Sequence, residues 1–296
     1  MHKAIFAAAI ALGALATSAL TGCSGSNQVA SGSAAQSEAL QVQASCYPLY
    51  FIAENVVGNL GEVTNLTQSG GEPHDLELSI AQVQAMLEAD LVLYLGNNFQ
   101  SSVEEAVSST GVAALDAMSV VPESEVRSGD SHMWLNPEYM VNFTAEFAEQ
   151  LAAINPENAA EIQANAEALQ DELEQLDADF AAGLAEMQGA TMVVTHEAFG
   201  YLAAAYQLQQ LGIRGVNPEE EPSTSNLLEV ADQAAAAGAT TLFYDQAEDS
   251  STATTYADLL NLQLAAINTL EVQPESGDYL SVMRENLDAL QAHLAN

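Results

Sequence analysis

Short apolar runs set off by longer amphipathic stretches give the chain its rhythm. LQVQASC (40–46), EVTNLT (62–67), DLVLYLG (90–96) and GVAALD (111–116) read as strands, with helical stretches such as SIAQVQAMLEA between them. After residue 190 the pattern returns. TMVVTH (191–196), LQQLGIRG (208–215), TTLFYDQ (240–246) and LAAINTL (264–270) alternate with STSNLLEVADQAAAAG and STATTYADLLNLQ. Strands that alternate with helices need crossover connections, so the pattern predicts an α/β protein of two domains with parallel sheets.

Between the halves the period changes. Ile162, Ala166, Leu169, Leu173, Leu176, Phe180, Leu184 and Met187 recur at steps of four and three, one apolar stripe on one helix. Asn155-Pro156-Glu157 predicts its start and Gly189 its stop, and from Pro156 to Gln188 it would run about 50 Å. The expected organisation is an N-terminal α/β domain (40–154), a linking helix (155–189) and a C-terminal α/β domain (190–296). A rigid strut of this kind predicts modest domain motion.

The first residues follow a different logic. MHKAIFAAAIALGALATSALTGCSGS has a basic start, an apolar run too short for a bilayer span and small residues before Cys23, which reads as an export signal over residues 1–22. Leu20-Thr21-Gly22-Cys23 resembles a bacterial lipobox, with Cys23 the lipidated residue and 23–39, rich in Ser, Gly and Ala, a flexible tether. The expected location is outside the cytoplasmic membrane, held by the lipid. A disulfide from Cys23 to Cys46, the other of the 2 cysteines, is the alternative, and it is disfavoured because the leader leaves Cys23 at the cleavage point.

Charge narrows the partners. With 41 Asp+Glu against 4 Lys+Arg the net charge is −37, a field that repels nucleic acid and concentrates cations. It also suggests adaptation to a salt-rich surrounding.

The chain has 5 histidines, so each can be weighed. His2 lies in the leader and His293 in the last helical turn. His74, in GGEPHDLELS, stands in a Gly/Pro loop after the strand at 62–67 and before a helix capped by Ser79. His132, in GDSHMWLNP, lies where a loop enters the next helix, and His196 ends TMVVTH. Ligands of open parallel sheets gather at the carboxyl ends of strands, and all three fit that place. Singly, each is equally a capping or hydrogen-bonded loop imidazole. Together, two from the first half and one from the second, they can bridge one ion. Three neutral imidazoles supply most of a tetrahedral zinc shell with bonds of about 2.0–2.1 Å, and a fourth ligand must close it.

EPHDLELS, GDSHMWLNP, THEAFGYLAAAYQL, PEEEPST and GDYLSVMRENLDAL, in this order, resemble the successive signatures of the metal-binding lipoproteins of ABC importers, the solute-binding proteins for zinc and manganese. The resemblance covers about residues 40 to 296. It implies two α/β domains joined by a long helix, a metal in the cleft and His74, His132 and His196 as ligands. Manganese-selective relatives often carry Glu at the third position, so His196 favours Zn2+, with Mn2+ or Fe2+ the alternative cargo. For the fourth ligand relatives place an acid or His after the last strand; INTLEVQPESGDYL offers Glu271, with Asn268, Asp245 or water as alternatives. Asp245 is read as supporting the site, and Glu72, Glu77, Asp130 and Glu197 as candidate partners for the outer imidazole nitrogens. Trp134, Phe199 and Tyr201 are read as packing around it.

Two departures from the family stand out. The segment 117–132 holds no histidine before His132, so a His-rich capture loop is not expected, and Ser131 stands where relatives often have Pro, which predicts a looser loop. The resemblance further implies an ABC permease as partner, attachment to the membrane by the lipid and a monomer. A zinc-dependent hydrolase is the competing class, disfavoured because no HExxH, nucleophile elbow or evident general base accompanies the histidines.

Overall fold

The computed structural model describes residues 39–67, 71–218 and 221–294. The leader, Cys23 and all of the tether but Ala39 lie outside the described residues. The first half runs β1 (Leu40–Ala44), α1 (Tyr47–Val57), β2 (Gly61–Asn65), α2 (Ile80–Glu88), β3 (Leu91–Tyr94), α3 (Ser101–Thr110), β4 (Ala114–Asp116) and α4 (Pro137–Ile154). Then come α5 (Ala159–Gly183), β5 (Thr191–His196), α6 (Gly200–Ala205), β6 (Gln209–Arg214), α7 (Thr224–Ala237), β7 (Thr241–Asp245), α8 (Ser250–Leu260), β8 (Gln263–Ile267) and α9 (Tyr279–Leu294). Each of the eight expected strands is present; β5 keeps its expected bounds and the others end within three residues of theirs.

All strand pairs are parallel, in two sheets of order β2-β1-β3-β4 and β6-β5-β7-β8. Each sheet has its first strand inside and reverses its winding between the first and third strands. Crevices of this kind open at the carboxyl ends of the strands.

The linking helix is shorter than its stripe suggests. Regular α-helix spans 25 residues of α5, about 38 Å, and single 3-10 turns, Pro156–Asn158 and Ala185–Met187, extend it. Two local reasons account for this. The Asn155 side chain accepts from Asn158 Nδ2 at 2.8 Å and caps no backbone N–H, contrary to the expected cap. At the other end Gln291 of α9 takes the Gly183 carbonyl at 3.1 Å, in a space where a Cβ on Gly183 would lie 2.7 Å from Gln291 Nε2.

The stripe itself is buried from Ile162 to Leu184, and α5 packs on α1, α4 and α9. One apolar core runs from Val42 and Leu93 of the first sheet through Leu173 and Phe180 to Val194 and Phe243 of the second. Because the halves share that core, rigid separation would expose apolar surface. Cys46 is a free, fully buried thiol that burial pushes up to about 12, so it is inert. Among the described residues no helix is long and apolar enough to cross a membrane.

Candidate metal centre

Three loops and the end of one strand deliver the site. His74 lies between β2 and α2, whose start is fixed by a capping box of Ser79 and Gln82. His132 precedes a 3-10 turn that leads into α4, with Asn136 accepting from Glu138 N at 3.1 Å. His196 is the last residue of β5, and Glu271 follows β8.

The side chains converge. His132 Nε2 and His196 Nε2 each lie 3.2 Å from Glu271 Oε1, and His74 Nε2 lies 3.5 Å from Oε2. Ring centroids are 5.2 Å apart for His74 and His132 and 5.9 Å for His132 and His196. Ligand atoms of His74, His132 and Glu271 fall within 4.8 Å of one another. A tetrahedral shell with zinc bonds of 2.0–2.1 Å has edges of about 3.3 Å, which the three distances to Glu271 match, while the mutually close group of His74, His132 and Glu271 does not take in His196. His74 Nε2 is buried and, though 3.5 Å from Glu271 Oε2, makes no hydrogen bond, which leaves it open to a further ligand.

His132 is fixed from behind. His132 Nδ1 lies 2.8 Å from Asp130 Oδ1, the expected partner, and the same oxygen accepts from His132 N at 3.0 Å. Tyr201 of α6 reaches across from the second half: its hydroxyl donates to the Asp130 carbonyl at 3.0 Å and accepts from Arg127 N at 3.1 Å. The start of α6 comes so near that a Cβ on Gly200 would sit 2.8 Å from Asp130 Oδ2. Ser131 does not loosen the loop: it is buried and donates to the Gly96 carbonyl at 2.8 Å, tying the loop to the end of β3. Trp134 does more than pack. Its ring lies 4.9 Å from that of His132, and Nε1 donates to the Thr269 carbonyl at 2.7 Å.

The turn carrying Glu271 is clamped at every residue. Asn286 of α9 accepts from Asn268 N at 2.9 Å and donates to its carbonyl at 2.7 Å, while Asn268 Oδ1 accepts from Leu270 N at 2.7 Å. The Asn268 amide thus serves the turn and does not face the imidazoles. Asp245 accepts from Ala247 N at 2.8 Å and from both Thr269 N and its hydroxyl, the supporting role expected of it. Leu270 sits at φ 59°, an unusual conformation for a non-glycine that these bonds enforce.

The partner of His196 is one the sequence does not announce. Its Nδ1 lies 3.3 Å from Glu248 Oε1, in the loop after β7. Glu197, the expected candidate, packs instead beside Gly212, because consecutive residues at a strand end point to opposite faces. Glu72 accepts from His74 N at 3.1 Å and so shapes the loop. The acid-rich YDQAEDS stretch was the available signal for Glu248; its return toward β5 is a property of the fold.

Electrostatics follow from this wiring. Burial pulls His74 down to about 4 despite Glu271 nearby, so it is neutral at pH 7. Burial acts the same way on His196, yet Glu248 and Glu271 outweigh it and push the ring up to about 10. His132 is also raised, burial being overcome by Asp130 and Glu271. Glu271, though fully buried, is held well below the usual carboxylate range by hydrogen bonds from His132 and His196. A cation entering the site would therefore take the place of the protons that Glu271 holds on His132 and His196.

Comparison with known proteins agrees. The sequence model of the family described as "Zinc-uptake complex component A periplasmic", ZnuA, matches residues 42–293. The chain belongs to the ZnuA family. It is 28% identical to the zinc-binding protein AdcA of Streptococcus pyogenes, over 85% of this chain and 55% of that protein. This chain therefore spans about half the length of its AdcA relatives. It is 27% identical to the high-affinity zinc uptake system protein ZnuA of Bacillus subtilis, over 90% of this chain and 92% of that protein. Among solved structures it resembles the laminin binding protein Lmb of Streptococcus agalactiae, described as having adhesin and metal transporting activity, with TM-score 0.79 and 28% identity over 86% of this chain and all of that one. The Zn(II)-bound ZnuA-like domain of Streptococcus pneumoniae AdcA is similar at TM-score 0.75 and 27% identity, over 87% of this chain and 100% of that domain. The ZnuA family is a family of transporter components, in keeping with the expectation that this chain is no enzyme.

Proposed function

We propose that this ZnuA-family chain captures Zn2+ between its two sheets, on His74, His132, His196 and Glu271, and delivers it to a membrane permease of an ABC importer. The observation that carries the reading is the convergence of the three imidazoles, from two loops and a strand end, to within 3.2–3.5 Å of Glu271. Three imidazoles and one carboxylate suit zinc better than manganese, which prefers oxygen ligands. The chain is lipidated at Cys23 outside the cytoplasmic membrane, acts as a monomer, and divides into domains at 40–154 and 190–296 around the helix 155–189. The relatives named zinc-binding or zinc uptake proteins support the cargo, and the S. pneumoniae relative named a lipoprotein supports the anchor. A hydrolase would need a position on the metal left to water, which Glu271 would fill.

Native mass spectrometry of the mature chain with metal analysis tests the cargo. One zinc per chain is expected, lost when His74, His132 and His196 are all replaced by Ala; equal retention would mean the acidic surface binds it.

The wiring of His196 also sets a pH dependence. Sequence alone suggests that affinity falls as pH drops through about 6, where an ordinary imidazole titrates. Raised to about 10, His196 still carries its proton at neutral pH, so a cation taking Nε2 must displace it. Affinity is therefore expected to keep rising between about pH 6 and 8, with about one proton or more released per zinc. Chelator competition, or calorimetry in buffers of different ionisation enthalpy, reads this directly. A flat profile with no proton release would refute the charged pairing.

A further inference from the structure

The chain has only 4 basic side chains in Lys and Arg, and one of them, Arg214, stands beside the cation site. Arg214 ends β6, in register with His196 on β5. Its guanidinium serves three acceptors: Nε donates to the Thr195 carbonyl at 3.2 Å, Nη1 to the Pro218 carbonyl, and Nη2 to Glu248 Oε2 at 2.5 Å. The other carboxylate oxygen, Oε1, accepts from Thr195 Oγ1 at 3.2 Å and lies 3.3 Å from His196 Nδ1. Arg214, Glu248, His196 and Glu271 together line a cavity of about 370 Å³ beside the centre.

A cation next to a cation site is an electrostatic cost, so its placement calls for a compensating role. We propose that Arg214 is a positioning residue that sets metal preference: its fork pins the Glu248 carboxylate behind His196, orienting that ring and keeping Glu248 from turning into the cavity as an additional oxygen ligand. The inference rests on the zinc-cargo reading. With the fork removed, His196 loses its orientation, which weakens zinc, while a mobile carboxylate offers the oxygen donor that manganese favours. A guanidinium's bare field acts on all divalent cations alike, so it cancels in the ratio of manganese to zinc dissociation constants. The ratio isolates geometry.

The test is a double-mutant cycle on the full mature chain, with Zn2+ and Mn2+ each titrated against chelators. R214M is expected to narrow the ratio by about 10-fold, the low end for losing a ligand's hydrogen-bonding partner. In an E248A background the same change should leave it within about two-fold, the scatter of additive effects. R214K keeps the charge, but its compact ammonium lacks the planar fork that reaches Thr195, Pro218 and Glu248 at once; it is expected to narrow the ratio too, and it serves should R214M fail to fold. An unchanged ratio in R214M, a native ratio in R214K, or equal narrowing with and without Glu248 would each overturn the proposal. Zinc that stays bound after loss of the three histidines would instead overturn the cargo reading.

Discussion

Glu271→Gln is expected to cost the protein twice, once in metal and once in fold. The carboxylate is a direct ligand on the reading above, so zinc affinity should fall by more than the about 10–100-fold typical of losing a ligand's outer partner. The second loss appears in chelator, without any metal. Glu271 is the one anion that both His132 Nε2 and His196 Nε2 reach, and removing one partner of a buried ionic cluster costs about 3–5 kcal/mol. The rings can shed their protons instead, which places the cost toward the lower figure; at about 2–4 °C per kcal/mol the melting temperature should drop by roughly 6–12 °C.

The pH course of that loss carries its own sign. Glu271 is depressed from an ordinary 4.5, so its contribution is present above that value and fades as acid protonates it. His196 is raised from 6.5 to about 10, so its contribution is full below 6.5 and disappears as pH rises through 10. Wild type and variant should therefore differ most between pH 4.5 and 6.5 and converge in alkali. Melting curves in chelator at both ends check this. A gap that persists undiminished above pH 10 would mean the variant is weakened by packing, not by lost charge pairing.

Legibility in the sequence tracks how local each cause is. Strands and the long helix were readable because apolar spacing is a property of neighbours along the chain, and the buried stripe from Ile162 to Leu184 is the direct image of that spacing. The helix ends were not, because Gln291 and Asn158, which reshape them, meet Gly183 and Asn155 only in the folded chain. The histidines could be singled out because they are scarce and each sits after a strand. Glu271 could be chosen over Asn268 and Asp245 only by resemblance. The structure separates the three by orientation: the Asn268 and Asp245 side chains are spent on the turn, and Glu271 faces the rings. Nothing local marks Glu248 and Arg214, since pairing β5 with β6 and folding the β7 loop back are tertiary events. Ser131 shows the opposite error, where a missing proline suggested looseness and a hydrogen bond to Gly96 supplies the restraint.

The acidity of the chain leads to the other large expected effect, on stability in salt. Apart from pairs with histidine, the ion pairs among the described residues are Arg214 with Glu248 and the exposed Arg284 with Asp179 at 3.7 Å. With 4 Lys+Arg against 41 Asp+Glu, most of the acids cannot each have a Lys or Arg partner. On α5, Glu167, Asp171, Glu174 and Asp177 follow at steps of four, three and three, which stacks like charges along one side of the helix. Two unit charges about 10 Å apart in water repel by about 0.4 kcal/mol, so a dozen such pairs amount to about 5 kcal/mol. At about 1 M salt the screening length shrinks to about 3 Å and most of that repulsion vanishes. The melting temperature should rise by roughly 10–20 °C between low salt and about 1 M salt, taking about 2–4 °C per kcal/mol. General salting-out would raise it as well, so a charge variant separates the causes. Glu174→Lys turns two like-charge pairs, with Asp171 and with Asp177, into opposite-charge ones, worth about 0.2–0.5 kcal/mol per pair. The variant should melt higher than wild type at low salt and equal to it in molar salt. If wild type melts at the same temperature in both salts, or if the variant's advantage survives screening, the acidic surface is not held together by counterions.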